Sequence, residues 1–371
     1  MKVLLTATVQ SHICQFHRPL VKMLHEFGYE VHVAARNNLA EKNGLRLDFA
    51  DKVFDVPFSR SPKSIDNIKA YRQIRRIVAK DNYDIIHCNT PMGGVVTRIA
   101  CKDLRKEGVR VFYTAHGFHF YKGAPLKSWL LYYPIEKLCA HFTDTLITIN
   151  REDYALAKRK MKAGQVVYVP GVGIDVDKFR NTVVDRPAKR KELGIPEDAF
   201  LLLSVGELNE NKNHQIVIRT LAELNDPSIH YAIAGNGALA EYLTALAEQV
   251  GVADRVHLLG YRRDVAELYR TADVYVLPSL REGLNVSIME AMASGLPVVC
   301  NRIRGNTDLV NTLTGVLCST HNACDLLSAI QCLRTNRQLR EEMGRAGSQS
   351  MARFSINEIN REMMRVYTER A

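Results

Sequence analysis

Apolar residues recur along this 371-residue chain in two alternating rhythms. Short runs dense in β-branched residues, KVLLTAT, YEVHVAA, YDIIHCN, VRVFYTA and DTLITIN, alternate in the first half with longer stretches such as HRPLVKMLHEFG. Short apolar runs bounded by turn residues suit strands, and spacing by three and four suits a helix with one buried stripe. The order therefore predicts βαβ units around a parallel sheet. The second half repeats it with FLLLSVG, HYAIAG, RVHLLG, DVYVLP and PVVC, each followed by a helical pattern. Between the halves, after VVYVPGVGIDVDKF, the chain turns polar from Arg180 to Asp198 with Pro187 and Pro196, and a domain boundary is expected there. The reading is two doubly wound units in tandem, with the cleft between them as the default site. The tail from Ser355 to Arg370 carries Ile356, Ile359, Met363, Val366 and Tyr367 at helical spacing, an amphipathic helix able to pack back across the first domain.

Composition narrows the class. The length suits two α/β cores, and 46% hydrophobic with 24% charged residues excludes a disordered or fibrous chain. The longest apolar runs, such as VYVL and Val3 to Ala7, stop well short of the roughly 18 residues that span a bilayer. The start, MKVLLTATVQ, reaches Gln10, Ser11 and His12 without a small-residue cleavage site, so it reads as a first strand and not as a signal peptide. Eight scattered cysteines never form a CxxC pair, which favours free thiols in a reducing cytoplasm. Twelve histidines form no HExxH and no closely spaced His/Cys cluster, so no metal site is expected.

Charge is uneven along the chain. Residues 1–180 hold 29 Lys and Arg against 17 Asp and Glu, a net +12, whereas residues 181–371 hold 21 against 23, a net −2. The basic half calls for an anionic partner, nucleic acid or an acidic membrane face. Within it, KSIDNIKAYRQIRRIVAK sets Lys69, Arg72, Arg75, Arg76 and Lys80 beside Ile65, Ile68, Ile74 and Ile77, an interfacial pattern able to rest on anionic lipid. No helix-turn-helix, RNP or zinc pattern accompanies the charge, and no GxGxxG follows the first strand.

Candidate chemistry concentrates in SLREGLNVSIMEAMASGLPVV, where Glu282 sits in a Gly-containing loop after DVYVLP and Glu290 lies in a helix expected to begin near Leu284. Eight helical steps at about 1.5 Å span about 12 Å, the scale of a nucleoside diphosphate. The N–H groups of Leu284, Asn285 and Val286 would face a diphosphate at the positive helix end, and Glu290 could accept hydrogen bonds from ribose hydroxyls.

This segment resembles the signature of the family-four retaining glycosyltransferases. GVGIDVDKF, with Gly173, Asp175 and Phe179, is similar to that family's interdomain linker, and GELNENKN, with Gly206 and Lys212, to its phosphate-binding loop. YTAHGFHFYKGAPLKSWLLYYPIEK and IRGNTDLV resemble the subgroup that builds bacterial capsular and exopolysaccharide repeat units. The resemblance implies a GT-B fold, two Rossmann-like domains facing a central cleft with the C-terminal helix returning to the first. Its domains would be an acceptor-binding 1–172 with 355–371 and a nucleotide-sugar-binding 173–354.

It further implies a hexosyltransferase that is retaining and metal-independent, with no cofactor beyond its donor. A hexose or N-acetylhexosamine would pass from a nucleotide diphosphate sugar, a UDP-sugar by expectation, to a polyprenyl-diphosphate-linked acceptor. The work would be done at the inner face of the cell membrane, with no nucleic-acid partner. Lys212 would neutralise the β-phosphate, Gly206 would let the backbone approach it, His116 would face the transferred sugar and Glu282 would hold that sugar's hydroxyls. Gly235, Asn236 and Gly237 would turn near the nucleotide, Tyr261, Arg262 and Arg263 would border the base, and His12, Gln15 and His17 would meet the acceptor. The family's usual arginine after the phosphate-loop glycine is here Glu207, so a second cation, Arg304 or Arg281, is expected to replace it. The rival readings are a sugar-nucleotide 2-epimerase on the same scaffold and a non-catalytic basic binding protein.

Overall fold

Two all-parallel sheets, one of seven strands and one of six, carry the chain, and in each the first strand lies in the interior. The computed structural model describes residues 1–369 except 41, 43 and 321. The chain divides into Met1–Gly173 with Ile356–Ala371, and Ile174–Ser355.

The first sheet holds β1 (Lys2–Val9), β2 (Glu30–Arg36), β3 (Lys52–Asp55), β4 (Ile85–Asn89), β5 (Arg110–Ala115), β6 (Thr145–Thr148) and β7 (Gln165–Tyr168), in the order β3-β2-β1-β4-β5-β6-β7. Val3, Leu4, Leu5 and Ala7 of β1 expose no surface. A strand covered on both faces cannot alternate polar and apolar residues, which is why these runs read as continuous in the sequence. The covering helices include α1 (Gln10–Phe16), α2 (Arg18–Glu26), α3 (Asp66–Lys80), α4 (Pro91–Cys101) and α5 (Leu126–Ala140). Leu4, Ile74, Ile86 and Tyr113 belong to one core. The other gathers Val3, Leu5 and Val31 with Ile359, Met363, Val366 and Tyr367 of the C-terminal helix Ile356–Thr368. That helix packs on the first unit as expected, although positions 370 and 371 of the expected 355–371 span lie outside the described residues. Tyr367 Oη lies 2.7 Å from His87 Nδ1, and Arg110 Nη2 donates to the Tyr367 carbonyl at 2.6 Å.

The second sheet holds β8 (Phe200–Val205), β9 (Ile229–Ala234), β10 (Val256–Gly260), β11 (Val274–Leu277), β12 (Val298–Asn301) and β13 (Gly315–Cys318), in the order β10-β9-β8-β11-β12-β13. The strand order reverses between β1 and β4 in one sheet and between β8 and β11 in the other. At such a switch point the connections leave in opposite directions, which opens a crevice at the carboxyl ends of the strands.

One expectation is overturned, and a second loses part of its residues. The polar stretch 180–198 is no boundary: it belongs to the second unit and contains the helix Arg186–Glu192. Arg190 is buried there, donating to the Ala199 carbonyl at 2.8 Å and to Asp273 Oδ2 at 2.9 Å, so the polarity that read as solvated linker is ion-pairing. The basic helix α3 keeps Arg72, Arg75, Arg76 and Lys80 exposed, but Ile74 and Ile77 are buried in the core, leaving only Ile65 and Ile68 of its four isoleucines exposed. Half of the isoleucines offered to lipid, Ile74 and Ile77, instead hold α3 to the core. No helix among the described residues is long and apolar enough to cross a membrane, and all eight cysteines are free.

Hydrophobic patterning gives no hint of the charged pair inside the first unit. Arg98 of α4 exposes no surface; its Nη2 donates to Glu136 Oε2 of α5 at 2.8 Å and its Nε to the Gly94 carbonyl at 3.0 Å. The guanidinium lies 3.8 Å from the centre of the Tyr113 ring, whose hydroxyl donates to Glu136 Oε1 at 3.3 Å. Removing one partner strands a buried charge, so Glu136→Ala is expected to lower the first unit's stability by about 3–5 kcal/mol. Replacing both, Arg98→Met with Glu136→Leu, should lose far less. Urea unfolding followed by the fluorescence of Trp129, the single tryptophan, measures both variants.

Candidate functional site

Within the second unit, the loops that leave β8 and β11 meet across the switch point. Lys212 from the first donates its Nζ to Glu282 Oε1 of the second at 2.7 Å, with side chains 16% and 13% exposed. Asn209 Oδ1 accepts the Lys212 N–H at 3.0 Å. Asn211 joins the loops, accepting the Leu280 N–H at its carbonyl (2.8 Å) and donating its side-chain amide to the Arg281 carbonyl (2.9 Å). Asn301 at the end of β12 donates to the carbonyls of Pro278 and Ser279 at 2.8 and 3.1 Å, fixing the start of the Glu282 loop.

Of the two candidate replacement cations, Arg281 is exposed, whereas Arg304 is buried with its Nε donating to the Glu282 carbonyl at 3.2 Å; Glu207 is exposed. The next residue, Gly305, has φ +79°, and a Cβ there would stand 2.2 Å from the Gly283 carbonyl oxygen. Only glycine lets the two loops touch.

The helix after Glu282 runs Val286–Ala293, so it starts later than expected. Asn285 is its N-cap, Oδ1 accepting the Ile288 N–H at 3.0 Å, with Leu284 buried just before it. Glu282 is therefore off the helix, and the 12 Å helical span from Glu282 to Glu290 does not apply. Glu290 Oε2 accepts the Tyr269 hydroxyl at 3.0 Å. Burial pushes the Glu290 carboxyl up to about 7, against the opposing pull of Tyr269 and Lys178.

Gly206 follows β8, and Gly235, Asn236 and Gly237 follow β9 against it. A Cβ on Gly235 would lie 1.8 Å from the Gly206 carbonyl oxygen, and the Asn236 carbonyl accepts the Leu208 N–H at 3.0 Å. Close packing of two loops accounts for this glycine pair on its own. Beyond β10, Tyr261 and Arg263 are exposed, while Arg262 is held by Asp264 at 2.8 Å and Glu192 at 2.6 Å.

Inside the first unit, β1 runs straight into α1, so His12 and Gln15 sit on a helix instead of the expected loop, and His17 stands at the α1–α2 junction. His116 follows β5, its Nε2 3.1 Å from Asn89 Oδ1 at the end of β4. His12 Nε2 and His17 Nε2 are 3.4 Å apart, and the His12 and His116 ring centres 4.7 Å. Sequence spacing conceals this trio, because about 100 residues separate His17 from His116. Burial lowers all three imidazoles, His116 to about 4, so each is neutral at neutral pH. His12 and Gln15 also line a cavity of about 440 Å³ together with Arg60, Tyr113, His119 and Tyr132. Thr90, beside it, has φ +63° and accepts the Thr8 N–H at 2.9 Å; holding a threonine so costs about 1–3 kcal/mol. Asn89, Thr90, Arg60 and Tyr269 fall in no motif, and the signal for Asn89 and Thr90 is their place at a strand end beside the switch point.

Residues 2–150 match the family described as Glycosyl transferase 4-like, and residues 185–350 match Glycosyl transferases group 1. EpsD of Bacillus subtilis (strain 168), a protein itself assigned as a glycosyltransferase, is 37% identical over 99% of this chain and 96% of its own. The UDP-Gal:alpha-D-GlcNAc-diphosphoundecaprenol alpha-1,3-galactosyltransferase of Escherichia coli is 29% identical over 79% of this chain and 78% of its own. The crystal structure of Anabaena HepE with UDP and glucose superposes with a TM-score of 0.81 at 19% identity, covering 99% of both chains, which establishes a shared fold.

The Glu290 carboxyl generates a pH test. In the unfolded chain it titrates near 4.5 and in the folded protein near 7, so between these values the folded state holds the extra proton. Stability from this group is thus full below about 4.5 and falls as pH rises through 7. The melting temperature of the ligand-free protein should drop more between pH 5 and 8 than that of Glu290→Gln, the gap widening from about pH 5 and levelling off above about pH 7. Parallel curves would contradict this assignment.

Proposed function

This chain belongs to the group 1, family-four-like glycosyltransferases, and from that premise we propose that it is a retaining transferase moving a sugar from a UDP-sugar to a polyprenyl-diphosphate-linked saccharide in cell-surface polysaccharide synthesis. The observation that carries the proposal is the Lys212–Glu282 contact of 2.7 Å at the β8/β11 switch point. Lys212 takes the β-phosphate as a point charge, and the sugar hydroxyls take over Glu282. The start of the helix Val286–Ala293 faces the diphosphate with its free N–H groups, and Glu290 reaches the ribose. Arg304, close to Glu282, supplies the second cation that Glu207 does not.

Transfer with retention needs stabilisation of a leaving diphosphate and an oxocarbenium-like sugar, work for fixed charges and N–H dipoles rather than for a nucleophile. The leaving phosphate oxygen accepts the acceptor's proton. His116 meets the sugar as a neutral hydrogen-bonding imidazole, consistent with its lowered pKa. No step calls for a metal or a further cofactor.

The acceptor belongs in the first unit's 440 Å³ cavity, where Arg60, His12 and Gln15 offer polar contacts to a diphosphate. The membrane contact moves from α3 to α5. Leu126, Leu130 and Leu138 fall at intervals of four or eight along α5 and are 73%, 71% and 57% exposed, with Lys122, Lys127 and Lys137 exposed among them. Leucines and lysines interspersed on one exposed helix face suit the inner, anionic face of a membrane.

Incubation with a panel of nucleotide sugars, with and without a lipid-diphosphate acceptor, tests the reading. UDP release that depends on the acceptor, giving a product whose anomeric configuration matches the donor's, is expected; interconversion of the donor without acceptor would instead mean a 2-epimerase. Lys212→Ala should lower kcat by about 10²–10³-fold. Leu126→Ser with Leu130→Ser should weaken sedimentation with anionic vesicles and leave transfer to a short-chain soluble acceptor near wild type.

A further inference from the structure

We propose that His12, His17 and His116 form a binding site for a divalent transition-metal cation of the zinc class. One ring nitrogen from each lies within 4.8 Å of the others, and the three come from the α1 helix, the α1–α2 junction and the end of β5. A tetrahedral zinc with bonds of about 2.0–2.1 Å separates its nitrogen ligands by roughly 3.3–3.4 Å. His12 Nε2 and His17 Nε2 already stand 3.4 Å apart. That pair has the spacing of two ligands on one ion, and His116, with a ring nitrogen within 4.8 Å of both, completes the set by closing inward.

The third ligand is prepared by its neighbour. His116 Nε2 lies 3.1 Å from Asn89 Oδ1, so the ring donates there and keeps its lone pair on Nδ1. A ligating histidine commonly gives its other N–H to a carbonyl or carboxylate, which fixes tautomer and ring orientation. His87, the fourth histidine of this region, is excluded: its two nitrogens are engaged by Tyr367 Oη and Thr114 Oγ1, each at 2.7 Å. Three imidazoles without a carboxylate select zinc, copper, nickel or iron over magnesium or calcium. Three protein ligands leave a fourth position for water or a phosphate oxygen.

Metal ligation and the direct contact of His116 with the sugar are rival uses of Nδ1. The ion therefore takes no part in the transfer proposed above, whose steps use the metal-free imidazole. The site does not rest on the donor chemistry, so it is tested without any sugar nucleotide.

The test uses the full chain, stripped with chelator, with the exposed Cys324 and Cys332 changed to serine so that thiols do not compete. One equivalent of Co²⁺ should give the intense visible absorption of a tetrahedral complex, discharged by Zn²⁺ and untouched by Mg²⁺. His17→Ala should weaken binding by about 100-fold or more, and Asn89→Ala, which removes only the orienting partner, by about 10–100-fold. A stripped wild type that gives no such band overturns the site, and so does a His17→Ala protein that binds Co²⁺ as tightly as its parent. The wild-type titration stands by itself if either variant fails to fold.

Discussion

Lys212 and Glu282 face each other across the point where the second sheet reverses its strand order, and that contact organises the surrounding loops. An ion pair largely removed from water loses much of its solvation, and its mutual attraction only partly offsets that loss. A ligand that offers a diphosphate to the lysine and hydroxyls to the glutamate replaces each partner by another, so neither charge is stranded on binding. The pair holds the two groups apart from other carboxylates and amines until the ligand arrives. Asn209, Asn211 and Asn301 serve the same end by fixing the backbone on either side, and Arg304 anchors the Glu282 carbonyl.

Much of this was legible in the sequence because strands covered on both faces leave unbroken apolar runs, and the Gly-containing loops between them mark strand ends. Glu282 is legible because it follows such a run by a few residues, and Lys212 through the resemblance of GELNENKN to a phosphate-binding loop. The pattern places the start of the following helix two residues early, because a cap is decided by one side-chain bond, here Ile288 N–H to Asn285 Oδ1, that no periodicity records. The stretch 180–198 was misread for a related reason. Arg190 and Asp273 are polar in composition yet form a buried pair, and the sequence reports only the polarity.

Helices α3 and α5 expose the limit of amphipathic reasoning. The periodic isoleucines of α3 are equally suited to a core and to a lipid surface, and the sheet claims Ile74 and Ile77. In α5, apolar and aromatic residues together occur on all sides, so no moment singles out a face; the exposed leucine row emerges only after Glu136, Cys139 and Ala140 are seen to turn inward. Tertiary burial, not spacing, decides which stripe remains for a partner. The Arg98–Glu136 pair fixes that choice, since it ties α5 to α4 by the side opposite the exposed leucines.

The histidines of the first unit follow the same logic at longer range. His12 on α1 and His17 at the α1–α2 junction are five residues apart, and His116 joins them only because β5 ends two strands away from β1 in a sheet whose order is β1-β4-β5. A parallel sheet delivers the ends of all its strands to one edge, so residues far apart in sequence meet there without any local motif. Thr90 is held at φ +63° at that same edge, where Thr8 and the start of α4 crowd it. Strain of this kind persists only where surrounding contacts over-determine the backbone. Its position beside the switch point, lining the cavity with His12, means that the edge carrying the cavity is also an edge at which the backbone has little freedom to rearrange.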